Sequence, residues 1–489
     1  MNEGLPRGWR IVRLGDISIK PQYGWTTSAS KEGNIKLLRT TDISNGVVNW
    51  DNVPFCEKSP GDIESYLIKE NDILVSRAGS IGISYRVKKS DLNYDTVFAS
   101  YLIRFKPLIY VPFVDYFLKS HLYWDFIVSS KAGIAIPNVN ATKLQNLPML
   151  LPPLNEQHRI AAKLDKIMPR IERVKERLER IPVMIKRFRQ SVLTAAVTGK
   201  LTEKWREQHP EVESAENIID SIKKERINSE SSKTQLKKIV ELYDAIEKND
   251  SSELPDKWKY TFLNKLCESF QYGTSCKSQK KGIIPVLRMG NLQNGHIDWS
   301  NLVYTSDEKE IEKYILKPGD VLFNRTNSAD LVGKTSIYLG EHPAIYAGYL
   351  IKINNYNKLS SNYLNYALNT QYAKGFCKKV KSDGVNQSNI NAQKLGRFEI
   401  PLPPLKEQEE IVRQVDRLFA LADKMEAHYK KAKEKIDKLP QSILAKAFRG
   451  ELVQQDPNDE PAHLLLEKIK TQKALIEAEN KSKHYKKEK

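Results

Sequence analysis

NATKLQNLPMLLPPLNEQ at 140–157 returns as NAQKLGRFEIPLPPLKEQ at 391–408, and in both places the chain changes character at the double proline. After it, apolar residues follow steps of four and three: Ile160, Leu164, Ile167, Ile171, Val174, Leu178, Ile181, Ile185, Phe188 and Val192. That rhythm is a coiled-coil seam. The second copy keeps the frame with Ile411, Val415, Leu418, Ala422, Met425, Tyr429, Ala432, Ile436, Leu439 and Ile443. A narrow apolar stripe needs a partner, and the other copy supplies the only stripe of equal length. The pattern therefore predicts two long helices paired antiparallel, with a globular domain at each end. Each seam runs for roughly 50 Å at 1.5 Å per residue. An interior proline costs about 3 kcal/mol, so Pro182 and Pro440 predict kinks or breaks that leave short terminal helices. The competing arrangement packs each helix only on its own domain.

Outward from this junction the duplication extends over the chain, segment by segment and in one order. LPRGW at 5–9 matches LPDKW at 254–258, and PQYGWTTS at 21–28 loosely matches SFQYGTSC at 269–276. LLRTTDISNGVVNWDNV at 37–53 matches VLRMGNLQNGHIDWSNL at 286–302, which sets Arg39 on Arg288 and Trp50 on Trp299. NDILVSRAGS at 71–80 pairs with GDVLFNRTNS at 319–328, and ASYLIRF at 99–105 with AGYLIKI at 347–353. QSVLTAAVTGKL at 190–201 pairs with QSILAKAFRGEL at 441–452. The chain is two copies of one unit, and the pattern predicts an α+β fold with a pseudo-two-fold internal repeat. Short runs rich in Val, Ile, Leu and Tyr read as strands, the Asn-Gly pairs at 45–46 and 294–295 as hairpin turns, and 112–128 and 361–378 as helical patches. The predicted divisions are domain 1 at 1–152, a central helical region at 153–202, and a charged, partly helical linker at 203–253. Domain 2 follows at 254–403, then a distal helical region at 404–455 and a C-terminal tail at 456–489, expected to be disordered or frayed after about 470.

With 78 Lys+Arg against 60 Asp+Glu in 489 residues, the net charge of +18 favours a polyanionic partner. The N-terminus lacks the apolar core of a signal peptide and no run is long enough for a membrane span, so the reading is a cytoplasmic protein without membrane contact. Cys56, Cys267, Cys276 and Cys377 are scattered, with no metal-ligand spacing.

Catalytic constellations do not emerge. No glycine-rich cofactor loop or Asn/Asp-Pro-Pro-aromatic motif occurs, and the double prolines follow Leu, which suits a rigid strand-to-helix junction. Gly333-Lys334-Thr335 resembles the end of a phosphate loop, but the glycine required earlier is replaced by Ser328. Asp72 and Asp320 lack the following Glu-x-Lys of a nuclease and read as turn residues.

The duplicated LPPLNEQ and LPPLKEQ leading into heptads, TAAVTGKLTEKW closing the first and AKAFRGELVQQDPNDEPAHLLLEKI closing the second, resemble the specificity subunits of Type I restriction-modification systems. The resemblance runs from Leu5 to about Ile469. It implies two target-recognition domains separated by two long helices, each domain reading one half of an asymmetric, interrupted DNA site. It also implies a non-catalytic chain that binds double-stranded DNA, two modification subunits and the restriction subunits. S-adenosylmethionine, ATP and Mg are then expected on those partners, and no cofactor or metal on this chain. A recognition subunit of a Type II system with a fused methylase-nuclease, or a DNA-binding scaffold without an enzyme, would present similar features.

Lys and Arg would supply the phosphate grip, while Arg, Asn and Gln read base edges. In the first domain the candidates are Tyr23, Arg39, Arg77, Ser80, Lys131 and Asn138. In the second they are Tyr272, Lys277, Arg288, Arg325, Asn327, Lys334, Lys381 and Asn386. A residue kept in both copies can equally serve the frame, so differing residues are the better candidates for sequence choice.

Overall fold

The computed structural model describes residues 5–44, 46–129, 139–385 and 387–487, the last eight of these as backbone only. The chain forms two compact units, residues 1–179 with 430–489 and residues 180–429. Each unit thus takes one half of the central helical region and one half of the distal helix.

In the first unit an antiparallel sheet runs in the order Gln22–Tyr23, Leu102–Phe105, Ile73–Ser76, Ser84–Arg86. Ile73, Leu74 and Val75 are all buried, because this strand is covered on both faces. A second sheet pairs Lys36–Leu38 in parallel with Thr96–Phe98. The second unit repeats the first sheet as Cys267–Tyr272, Leu350–Asn355, Val321–Asn324, Thr335–Ile337, and the parallel pairing as Ile284–Leu287 with Ile345–Tyr346. It also holds a small sheet in the order Thr326–Asn327, Ser388–Asn389, Ser382–Asp383; the first-unit residues that align with its last two strands lie outside the described residues.

Asn294-Gly295 makes the expected two-residue hairpin: Leu292 pairs with Ile297 and Gln293 with His296, and both turn residues have positive φ, 52° and 87°. The copy at 45–46 departs from that expectation. Gly46 follows a short helix, Thr40–Ile43, and no strands flank it among the described residues; Asn45 lies outside them.

The motif quoted first is a joint. Asn140 and Asn391 cap short helices by accepting from the amides of Lys143 and Lys394, each at 2.8 Å. The following strands, Pro148–Leu151 and Glu399–Leu402, pair antiparallel with Arg10–Arg13 and Lys259–Phe262, which closes the end of each domain on its beginning. Past the prolines, Glu156 accepts from the Trp9 indole at 2.9 Å and Glu407 from the Trp258 indole at 2.8 Å. Gln157 binds the Tyr110 amide and the Pro152 carbonyl; Gln408 binds the Ser360 amide and the Pro403 carbonyl. The spacing from LPxxW to LPPLxEQ is therefore the geometry by which each domain grips the base of its helix.

The central region breaks between helices Leu154–Leu178 and Ile181–Val197, with Pro182 in the first turn of the second, where its missing N–H costs little. The distal helix corrects the matching expectation: Leu405–Phe448 runs unbroken through Pro440. One lost hydrogen bond is outweighed there by packing of Ile443, Leu444, Ala447 and Phe448 on the first unit's core. Seam residues Ile160 and Leu164 share that core, while Val192, Ile411 and Val415, with Phe188 and Leu418 beside them, sit in the core of the second unit. Within the second unit helix Ile181–Val197 meets the distal helix where Arg189 bonds Asp423. Ile171 is buried and Ile167, Leu178 and Ile436 are half-buried, but Val174 and Met425 remain 43% and 48% exposed. The stripe is closed where a globular domain backs it and open at these two positions and at Leu439, which is also exposed.

Residues 203–253 hold helices Glu203–Gln208, Ala215–Asn228 and Lys233–Asp244, and Ala215, Ile218 and Ile222 belong to the second unit's core. The tail holds a helix, Ala462–Lys487, anchored in the first unit's core by Ala462, Leu465 and Ile469 and continuing past 470, where disorder or fraying is expected. Its Ala-, Leu-, Glu- and Lys-rich composition is strongly helix-forming. No helix among the described residues is long and apolar enough to cross a membrane.

Candidate nucleic-acid interface

Leaving the strand Ile73–Ser76, the chain places the Arg77 guanidinium over the Tyr23 ring at 4.9 Å; leaving Val321–Asn324, it places Arg325 over Tyr272 at 4.8 Å. Each tyrosine hydroxyl accepts the first amide of the Asn-capped helix, Ala141 at 3.0 Å or Ala392 at 2.9 Å. Both platforms are thus tied to the joint as well as to the sheet. A glycine follows each tyrosine because a Cβ at Gly24 or Gly273 would lie 2.2 Å from the Phe98 or Tyr346 carbonyl oxygen. The Nε groups of Arg77 and Arg325 have no hydrogen-bond partner among the described residues. A flat guanidinium held on a ring suits two-point recognition of a base edge or phosphate.

Around Arg325 the second unit gathers other candidates. Arg325 reaches the Asn389 side chain at 3.4 Å, and Asn327 lies in the small sheet with Ser388 opposite. Lys381 pairs with Asp383 of the same sheet. Lys334, at the end of the 327–334 loop, donates to Gln293 at 3.0 Å. Ser80 and Lys277 are exposed in loops. Arg39 and Arg288 serve local structure: Arg39 makes a two-point pair with Asp42, and Arg288 donates to the Asn301 carbonyl at 3.0 Å. Lys131, Asn138 and Asn386 lie outside the described residues.

Tyr101 and Tyr349 were not among the candidates, yet they stand beside the stacks. The Arg77 amide donates to the Tyr101 carbonyl and the Arg325 amide to the Tyr349 carbonyl, and the two side chains are 61% and 48% exposed. Their signal is visible in the repeat, where ASYLIRF and AGYLIKI keep a tyrosine between small residues and a buried strand.

Asp72 and Asp320 are the turn residues expected, accepting from the amides of Lys69 and Lys317. Asp72 also pairs with Arg104 at 3.3 Å in the interior; burial holds the carboxyl above and the guanidinium below their ordinary values. The thiols of Cys267 and Cys377 are pushed up by burial, the latter to about 12, which suits inert core residues. Among the described residues no group of three His, Cys, Asp or Glu side chains could hold a metal ion.

Against known proteins, residues 6–183 and 255–434 match the family model of the Type I restriction modification DNA specificity domain. The chain belongs to that family. The two matched segments each carry one recognition domain and one long helix, so the family's unit is the repeat read from the sequence. The specificity subunit of the Type I restriction enzyme EcoKI from Escherichia coli strain K12 is 29% identical over 96% of both chains. That of StySPI from Salmonella potsdam is 28% identical over 97% of this chain and 98% of its own. Among solved structures, the HsdS subunit from Thermoanaerobacter tengcongensis shares the fold with a TM-score of 0.58, at 20% identity over 92% of this chain and 100% of that one. A chain from a study of type I R-M complex assembly and conformational transition gives 0.62, at 20% identity over 92% and 99%.

Proposed function

We propose that this chain is the DNA-recognition subunit of a Type I restriction-modification enzyme, each unit reading one half of a bipartite, asymmetric site. The observation that carries the reading is the duplicated arginine–tyrosine stack, Arg77 on Tyr23 and Arg325 on Tyr272, set on equivalent frames in a chain of this family. Two equivalent presentations of a planar cation suit two separate stretches of duplex, and the surplus of basic residues suits its phosphates. The long helices would set the gap between the half-sites. The chain itself performs no chemistry in this account. Adenine methylation with S-adenosylmethionine belongs to two modification subunits, and ATP- and Mg-dependent translocation and cleavage to the restriction subunits.

Mapping adenine methylation in the genome of the source cell, with and without this gene, tests the proposal. Loss of one bipartite methylated motif on deletion is the expected result. An unchanged methylome, with the partner genes expressed, would overturn it.

A further inference from the structure

Within the second unit, a cavity of 380 Å³ opens between helix Ile181–Val197, helix Gln371–Val380, the 294–296 hairpin and the 329–334 loop. Five cationic side chains line it, Lys186, Arg189, Lys334, Lys374 and Lys378, against one carboxylate, Asp330. Arg189 is answered by Asp423 and Lys334 donates to Gln293, whereas no ion pair is made by Lys186, Lys374 or Lys378 among the described residues. Three like charges gathered without counter-charge repel one another, an arrangement that costs stability unless an anion enters. Burial, then Lys186 and Lys334, lower the affinity of the Lys374 amine for its proton.

Among the described residues the first unit builds the same place without the charge. The helices correspond through Tyr116, which donates to Asp165, and Tyr366, which donates to Asp416. Gly82 packs against Ile127 as Gly333 packs against Cys377. In that alignment Lys374 stands where the first unit has Trp124, Lys378 where it has Val128, Lys334 where it has Ile83, and Lys186 where it has Asp437. A frame requirement would have kept the residue types in both copies.

We propose that this cavity is a phosphate-binding site carried by the second unit alone. If the phosphate belongs to the DNA backbone, the inference deepens the recognition reading and rests on it: the second half-site would be held by a phosphate clamp the first lacks. If the phosphate belongs to a free nucleotide or pyrophosphate, the site stands apart from DNA reading. A cation-lined cleft serves either source through the same charge-assisted hydrogen bonds.

The test uses the full chain and the double variant Lys186→Gln/Lys374→Gln, with Lys186→Arg/Lys374→Arg as the charge-keeping control. Binding of a duplex bearing the methylated motif is measured against salt concentration, and binding of inorganic pyrophosphate by calorimetry at constant ionic strength. Both lysines are exposed, so the glutamine variant should melt no lower than the parent. The expected result is a salt slope shallower by about 0.9 for each phosphate that is no longer neutralised, and about tenfold weaker pyrophosphate binding, both restored in the arginine variant. An unchanged slope with lost pyrophosphate binding upholds the pocket and assigns it to a free phosphate compound. Unchanged slope and unchanged pyrophosphate binding overturn the proposal. Should the parent chain fail to bind any duplex, the recognition reading fails, and the pyrophosphate arm still decides the pocket.

Discussion

Trp9 on Glu156 and Trp258 on Glu407 are one joint made twice, but the two copies are finished differently. In the second unit Glu407 also takes the Thr202 hydroxyl at 2.7 Å and the Arg206 guanidinium at 3.0 Å, both supplied by the segment that follows the central helix. In the first, the segment after the distal helix brings Gln455 toward Glu156, while Asp459 pairs with the neighbouring Arg159. Burial accordingly holds the Glu156 carboxyl above the ordinary glutamate range. The loops beside the arginine–tyrosine stacks diverge much further, AGSIG at 78–82 against NSADLVGK at 327–334. Duplication has kept what each domain needs in order to fold onto its helix and released what faces outward. Residues shared by the copies therefore mark the frame first, as Arg39 and Arg288 do, whereas Arg77 and Arg325 combine a shared position with a guanidinium stacked on a tyrosine ring.

The comparison breaks most visibly at Glu407. Glu407→Ala strands a buried indole, a hydroxyl and a guanidinium and should cost about 3–5 kcal/mol of unfolding free energy, measured by denaturant titration. Glu156→Ala should cost about 1–3 kcal/mol, because no buried cation is bonded to it. Equal losses would show that the different finish has no energetic meaning. Next in size, Arg325→Ala should weaken binding of a site-bearing duplex by about 1–3 kcal/mol in a fluorescence titration, with melting unchanged, and Arg77→Ala should do the same through the other half-site. Tyr101→Ala and Tyr349→Ala should each cost about 1 kcal/mol of DNA binding, the scale of a single hydrogen bond, and leave stability within error.

The smallest effect is a matter of pH. With its folded-state value raised, Glu156 adds stability that is fully present below the unfolded carboxyl range and is lost as pH rises through the folded value. Glu156→Gln should change stability by less than about 1 kcal/mol at neutral pH and flatten that part of the acid-side profile. A steeper profile in the variant would contradict the environment assigned to this carboxyl.

The duplication, the strand character of DILVS and VLFNR and the heptad helices were legible because periodic burial leaves a periodic sequence. The Asn294-Gly295 hairpin was legible from its turn chemistry. Continuity through Pro440 was not, because it depends on what Leu444 and Phe448 pack against. The helix at Ala462–Lys487 was also missed, since anchoring by Ala462, Leu465 and Ile469 is hidden in a charged composition. At the site, the Arg77/Arg325 pair could be read from the repeat. Its tyrosine platforms were named without the stacking, and Tyr101 and Tyr349 were passed over because a tyrosine beside a buried strand reads as core. The five cations of the second unit's cavity come from separate stretches of chain, which no local pattern connects.

The central claim is that equivalent frames carry independent reading surfaces, and adenine-methylation mapping in cells expressing Arg325→Ala in place of the parent chain tests it most directly. The account predicts a bipartite motif whose methylation weakens or whose specificity relaxes at one half alone, with the other half and the gap unchanged. Degradation of both halves together would contradict it.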